Sequence, residues 1–168
     1  MGRSTPAESV GPALSVRLLV RWFPLLVFLS AFGLYAGTAA PGTLFGDPSE
    51  YQFIPAVLGI AHPPGYAFYI LLAKLWQLLL PVGTVAFRTN LLSAATGAWA
   101  VTGVYLVVRN LQGAPSGDSG GPTGDGRILS LLAPLFASLA LAAAPDLWQH
   151  SIHANAHIVS AAFAVTHL

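Results

Sequence analysis

Two acidic residues, Asp47 and Glu50, have the type and spacing to take part in proton transfer. They follow a long uncharged run, and ionisable groups next to such a segment are costly and often functional. A positioned carboxylate can take the proton of a substrate hydroxyl as that oxygen attacks. The pair also fits a helix N-cap, because Pro48 suits a first helical turn and Glu50 stands three residues after Asp47. Spacing alone leaves both roles open.

A second group of ionisable residues comes near the end of the chain. On one continuous helix the members would share a single stripe, because their spacing follows the helical repeat: Asp146, His150, His153 and His157. Three neutral imidazoles and a carboxylate could bind a divalent metal. A polar seam against a neighbouring helix, with Asp146 as N-cap, explains the same spacing. We favour the seam and predict no cofactor.

Arg88 is a third candidate, at the start of an uncharged run. Its planar guanidinium is suited to pairing with a phosphate. An arginine at this position can equally be an interfacial anchor that extends its charged end to lipid headgroups. The sequence leaves these alternatives open.

The elements that must position these residues are apolar. Of the 168 residues, 55% are hydrophobic and only 8% are charged, against roughly a quarter in a soluble domain. The predicted fold class is therefore all-α, and the chain is predicted to be a polytopic helical membrane protein embedded in the lipid bilayer. The net charge of +1 argues against a nucleic-acid partner. Cysteine is absent, which excludes disulfides, thiol catalysis and cysteine-ligated metals.

Uncharged runs predict about four transmembrane helices, at 18–40, 89–109, 128–145 and 150–168. The first run could instead be a cleaved signal peptide, since small residues follow it. Residues 1–16 are expected to form a flexible leader, and 17–168 the transmembrane domain. The chain stops inside the last predicted helix, and we expect it to be a fragment or a truncated frame of a longer protein.

The segment between the first two predicted spans contains His-Pro-Pro-Gly at 62–65. Two prolines and a glycine free backbone groups that would need partners in hydrocarbon, so a lipid-facing crossing is disfavoured. We predict two short juxtamembrane helices instead, at about 49–60 and 66–80. Residues 110–127, rich in glycine and serine, are predicted to form a loop between two spans.

Basic residues indicate the orientation. With a cytoplasmic N-terminus, loop 41–87 outside the cell and loop 110–127 in the cytoplasm, five of the seven basic residues lie inside. Those five are Arg3, Arg17, Arg21, Arg109 and Arg127, and the two outside are Lys74 and Arg88. This distribution follows the positive-inside rule, and a single crossing by 49–87 would abolish it. The predicted location is the cell membrane.

Several motifs resemble a known family. They are Asp-Pro-Ser-Glu-Tyr-Gln at 47–52, Leu-Gly-Ile-Ala-His-Pro-Pro-Gly-Tyr at 58–66, Arg-Thr-Asn-Leu-Leu-Ser-Ala at 88–94 and Pro-Asp-Leu-Trp at 145–148. Together they resemble the start of a bacterial family of membrane proteins related to protein O-mannosyltransferases. That family lies within the GT-C glycosyltransferases, which use lipid-linked sugars. The resemblance covers about residues 46–163.

The resemblance implies transfer of a sugar, with mannose as the candidate, from a polyprenyl-phosphate donor to an acceptor hydroxyl on a protein or glycan. It implies that Asp47 is the catalytic base and Glu50 its acidic companion. The other motif residues are the implied substrate contacts: His62, Tyr66, Arg88 and Asn90. The implied fold has many spans and a long first external loop.

One departure from the family pattern concerns Asn155 and His157, which stand where members typically have glutamate and tyrosine. The resemblance therefore does not imply, for this chain, a role that the glutamate carries in the family. Two further functions remain open. A transporter-like module would also contain broken helices and intramembrane polar residues, and a non-catalytic membrane scaffold would need no active site.

Overall fold

The computed structural model describes residues 11–112 and 124–167, with side chains over 21–112 and 130–167. The beginning of the leader and most of the predicted loop 110–127 therefore lie outside the described residues. Every regular element in the described part is a helix, so the all-α prediction is confirmed. The helices are α1 Gly11–Thr38, α2 Asp47–Val57, α3 Ala67–Leu79, α4 Val85–Leu111, α5 Gly124–Ala142, α6 Pro145–Ser151 and α7 Ala156–Ala164.

Helix α4 lies at the centre and contacts each of the other six helices. It begins where the Thr84 hydroxyl accepts a hydrogen bond from the Phe87 N–H at 3.1 Å, which is an N-cap. Small residues let its neighbours approach closely. A Cβ at Gly97 would lie 2.8 Å from the Ser151 Cβ, and one at Gly103 would lie 2.7 Å from the Val165 Cβ. Glycine at these positions is what allows the C-terminal segment to pack against α4.

The last predicted span, 150–168, is wrong as a continuous helix. The chain leaves helical geometry after Ser151 and resumes it at Ala156. Two side chains of α4 stabilise the break: the Asn90 Oδ1 accepts from the Ala154 N–H at 2.8 Å, and the Ser93 hydroxyl accepts from the Asn155 N–H at 3.1 Å. Because these buried N–H groups have side-chain partners, the helix can be interrupted without orphaned donors.

One helix in the described residues, α4, is by itself long and apolar enough to cross a membrane. Residues 130–142 and α6 pass the same test only as a pair bent by 65°. Most of the apolar window of α4 is buried inside the protein, as it would be in the core helix of a soluble protein. The four predicted spans therefore remain a prediction, and α7, with nine residues, is shorter than the ~20 that a crossing needs.

Candidate functional site

The first turn of α2 carries both predicted catalytic carboxylates. The predicted capping role is wrong, because the N-cap is Gly46 and no side chain caps this helix. Gly46 has a φ of 74°, a conformation that L side chains rarely adopt. Asp47 follows it as the first helical residue and is exposed. Within the described residues its carboxylate has no hydrogen bond or ion pair, so it is free to meet a substrate.

Glu50 is engaged with His62 through both carboxylate oxygens. Its Oε1 accepts from the His62 backbone N–H at 2.7 Å, and its Oε2 lies 2.6 Å from the His62 Nδ1. This contact lowers the pKa of Glu50, chiefly through the hydrogen bond to the ring. The same bond raises the pKa of His62 above its usual value, and the charges of Glu50 and Asp47 add to it.

The ionic form of this pair has a defined pH window. Glu50 has a lowered pKa, so its contribution to stability is lost as pH falls through that pKa. His62 has a raised pKa, so its contribution is lost as pH rises through that pKa. Between these two limits the pair consists of a carboxylate and an imidazolium. The ion pair therefore ties the first turn of α2 to residue 62 over the pH range between these two limits.

His62 opens a tight turn in which the Gly65 N–H donates to the His62 carbonyl at 2.8 Å. The Pro63–Pro64 peptide bond is cis, and Gly65 has a φ of 90°. Tyr66 ends the turn in a left-handed conformation, with φ 48° and ψ 40°, and is the N-cap of α3. Non-glycine residues seldom occupy this region, and strained residues of this kind are enriched at functional sites.

Aromatic rings surround the turn. The Tyr66 ring meets the rings of Tyr51 and His62 at centroid distances of 5.4 and 5.7 Å. It also contacts His157 on α7 at 5.7 Å, almost perpendicular to it. Tyr69 packs edge-on against Tyr51 at 5.4 Å. These perpendicular arrangements are favourable for aromatic pairs, and they bring α2, α3 and α7 together around His62.

Asn90 lies at the centre of a buried hydrogen-bond network. Its side chain is fully buried, and its Oδ1 accepts from Gln52 Nε2 at 2.9 Å and from the Ala154 N–H at 2.8 Å. Its Nδ2 donates to the Ala40 carbonyl at 2.7 Å. A residue with this burial cannot meet a substrate in this structure. The geometry favours a positioning role for Asn90 in place of the substrate contact that the sequence predicts.

Arg88 faces backbone carbonyls at the end of α3. Its guanidinium donates at 3.1 to 3.4 Å to the carbonyl oxygens of Gln77, Val82 and Gly83. Cations stabilise helix C-termini in this way. Neither predicted alternative, a phosphate contact or a headgroup anchor, describes these contacts.

Comparison with known proteins identifies the family of the chain. Residues 47–167 match the family model described as the protein O-mannosyl-transferase TMEM260 N-terminal domain. The chain belongs to this family. The match begins at Asp47 and includes all six of the predicted site residues, which are Asp47, Glu50, His62, Tyr66, Arg88 and Asn90.

Two curated relatives are similar to the TMEM260-family chain. The mouse protein O-mannosyl-transferase TMEM260 is 36% identical over 113 residues, which cover 67% of this chain and 16% of the mouse protein. The Dictyostelium discoideum protein of the same name is 31% identical over 86 residues, 50% of this chain and 10% of the relative. The chain thus matches about a sixth of the mouse relative's length. No solved structure matches the chain. A bacterial affiliation stays a prediction, since these relatives come from mouse and Dictyostelium.

The predicted histidine stripe of this TMEM260-family member is divided by the break between α6 and α7. Asp146 is exposed and is not the N-cap, which is Ala144. Its Oδ1 lies 3.6 Å from the His150 Nε2, and the His153 ring packs against the His150 ring at a centroid distance of 5.9 Å. The His157 ring packs against the Tyr66 ring and not against the other histidines. No group of three or more potential ligands that could hold a metal occurs in the described part of the chain.

Three uncharged polar residues received no role in the site from the sequence reasoning. Gln52 is buried and joins Asn90 to the carbonyl of Gly42. Gln77 is also buried and donates to the Thr89 hydroxyl at 2.8 Å. Asn155 caps α7 by accepting from the His157 N–H at 2.7 Å. The available signal was an amide side chain inside an otherwise apolar run, because a buried amide must find partners.

Proposed function

We propose that this chain is the donor-binding and proton-accepting part of a membrane glycosyltransferase of the TMEM260 family. The enzyme transfers a sugar, with mannose as the candidate, from a polyprenyl-phosphate donor to a hydroxyl on a protein. Family membership supports the glycosyltransferase class. The donor, the acceptor and the membrane setting are our proposal.

The observation that carries the proposal is the unpaired carboxylate of Asp47 beside the Glu50–His62 pair. The acceptor oxygen forms a bond to the anomeric carbon of the sugar. The bond from that carbon to the phosphate oxygen breaks with inversion, and its electron pair leaves with the polyprenyl phosphate. The proton of the acceptor hydroxyl passes to the Asp47 carboxylate, which makes the oxygen a competent nucleophile.

The departing phosphate needs a positive partner, and His62 is the best placed. Its pKa is raised by the hydrogen bond to Glu50, which favours the imidazolium. A cation held in place by the protein stabilises charge that develops on a leaving group. The Arg88 guanidinium donates hydrogen bonds to the carbonyl oxygens of Gln77 in the last turn of α3 and of Gly83 after it, so we assign Arg88 a structural role. Tyr66, next to His62, is the proposed contact for the sugar.

A chimera tests the function, because this chain matches only part of its relatives. The mouse protein is the host, and residues 47–167 of this chain replace its matching segment. We expect membranes that contain the chimera to transfer labelled mannose from polyprenyl-phosphate mannose to protein, with the unmodified host as the positive control. A chimera that reaches host levels in the membrane and transfers no mannose would refute the proposal.

We further propose that the chain is a multi-pass protein of the cell membrane with loop 41–87 outside. The exposed apolar residues on one side of α3 fit a helix lying at a lipid interface: Phe68, Leu71, Leu75 and Leu78. Two apolar residues that flank α2 in the sequence, Phe45 and Ile60, are also exposed.

Cysteine labelling tests the orientation. The natural chain has no cysteine, so single cysteines at Thr43 and Ser119 can be labelled without background. In intact cells an impermeant maleimide is expected to label Thr43→Cys and to leave Ser119→Cys unlabelled until the membrane is opened. The reverse pattern would contradict the proposed orientation.

A further inference from the structure

Glu50 uses its whole carboxylate to hold one residue. Its two oxygens bind the backbone N–H and the ring Nδ1 of His62, at 2.7 and 2.6 Å. The two partners lie twelve positions apart in the sequence, so local helix geometry does not produce this contact. A carboxylate occupied in this way is poorly placed to act as a second proton acceptor.

The contact fixes the tautomer of His62. An ionised carboxylate can only accept hydrogen bonds, so the proton between Glu50 and the ring lies on Nδ1. The proton that His62 gains or loses is then the one on Nε2. This is the logic by which a buried carboxylate orients a catalytic imidazole in other enzymes.

The surroundings of the ring leave Nε2 available. Tyr51 and Tyr66 flank the imidazole at centroid distances of 5.8 and 5.7 Å. In the described part of the chain Nε2 has no hydrogen-bond partner. The His62 side chain is 39% exposed, so a ligand can reach it from outside.

We infer that Glu50 is a positioning residue, which holds His62 so that Nε2 is the ring atom presented to the phosphate of the donor. This inference rests on the proposed function and deepens it, because it assigns the two residues different tasks. The charged and titratable groups around the imidazole are Asp47 and Glu50 on α2, the hydroxyls of Tyr51 and Tyr66, and His157 of α7 behind Tyr66.

The arrangement predicts a pH dependence with a definite sign. As pH rises through the raised pKa of His62, the ring loses the Nε2 proton and with it the donor to phosphate. Glu50→Gln removes the negative charge that supports the imidazolium, so this loss must occur at lower pH. The amide of glutamine keeps the shape of the side chain, so α2 should remain folded.

Two measurements on the full chain in detergent micelles test the inference. NMR of ¹⁵N-labelled histidines is expected to show neutral His62 as the Nδ1–H tautomer, and Glu50→Gln is expected to move its titration to lower pH. Binding of farnesyl phosphate should weaken as pH rises, and the same substitution should shift that weakening to lower pH. The control is Asp146→Asn, which removes an exposed carboxylate near another histidine, His150, and should leave both His62 readouts unchanged.

The outcomes separate this inference from the proposed function. An unchanged His62 titration in Glu50→Gln, or the opposite tautomer, overturns the positioning role. A shifted titration with an unshifted binding profile overturns the assignment of Nε2 to phosphate. If farnesyl phosphate does not bind at any pH, the proposed donor is wrong, while the NMR titration still decides whether Glu50 positions His62.

Discussion

Replacing Asp47 by asparagine is expected to lower sugar transfer by the chimera by about 10²–10⁴-fold, the usual worth of a general base. The amide keeps the size of the carboxylate and loses its ability to take a proton. Because Asp47 is exposed and has no partner in the described residues, its replacement should leave folding intact. The measurement is the initial rate of mannose transfer, normalised to the amount of chimera in the membrane.

Asp146→Asn is the matched control for this substitution. Asp146 is also an exposed aspartate in the first turn of a helix, but it lies on α6 next to His150. It should retain the transfer rate of the parent chimera. If Asp47→Asn transfers mannose as fast as this control, Asp47 is not the base.

Replacing Asn90 by leucine is expected to cost roughly 2–6 kcal/mol of unfolding free energy. Leucine has a similar volume but offers no hydrogen bonds, so the Ala154 N–H and the Ala40 carbonyl lose the partners that they have in the structure. Each buried backbone group left without a partner costs about 1–3 kcal/mol. The measurement is thermal unfolding of the chain in detergent micelles.

The control for this prediction is Asn110→Leu, at an exposed position near the end of the same helix. Exposed substitutions usually change stability by less than about 0.5 kcal/mol. Equal melting temperatures for the two variants would show that the buried network around Asn90 contributes little to stability.

Helix α4 was the most predictable element of the fold. The sequence predicts it from the uncharged run at 89–109, and the Thr84 cap found in the structure is also a local feature. The positions of α2 and α3 also follow from a local feature, the His-Pro-Pro-Gly turn that separates them. The all-helical class was therefore accessible from composition and hydropathy alone.

The break after Ser151 was not predictable from the same signals. The histidines are spaced for one continuous helix, whereas the bond that stabilises the break joins residues 64 positions apart. Local sequence patterns carry no information about contacts between residues so far apart. The Glu50–His62 pair was also not predicted, because the sequence suggested that Glu50 caps its own helix. Gly46 instead begins that helix in a conformation that leaves Glu50 free to reach across the turn.

The carbonyl contacts of Lys74 and Arg88 have a consequence for membrane orientation. These are the two basic residues that the proposed topology places outside the cell, against the positive-inside rule. Lys74 donates to the Ala56 carbonyl near the end of α2 at 2.6 Å, and Arg88 binds the end of α3. Both positive charges are thus paired with the negative ends of helix dipoles. The segment that the proposed topology places outside presents less uncompensated positive charge than its residue count suggests, so the two exceptions weigh little against that topology.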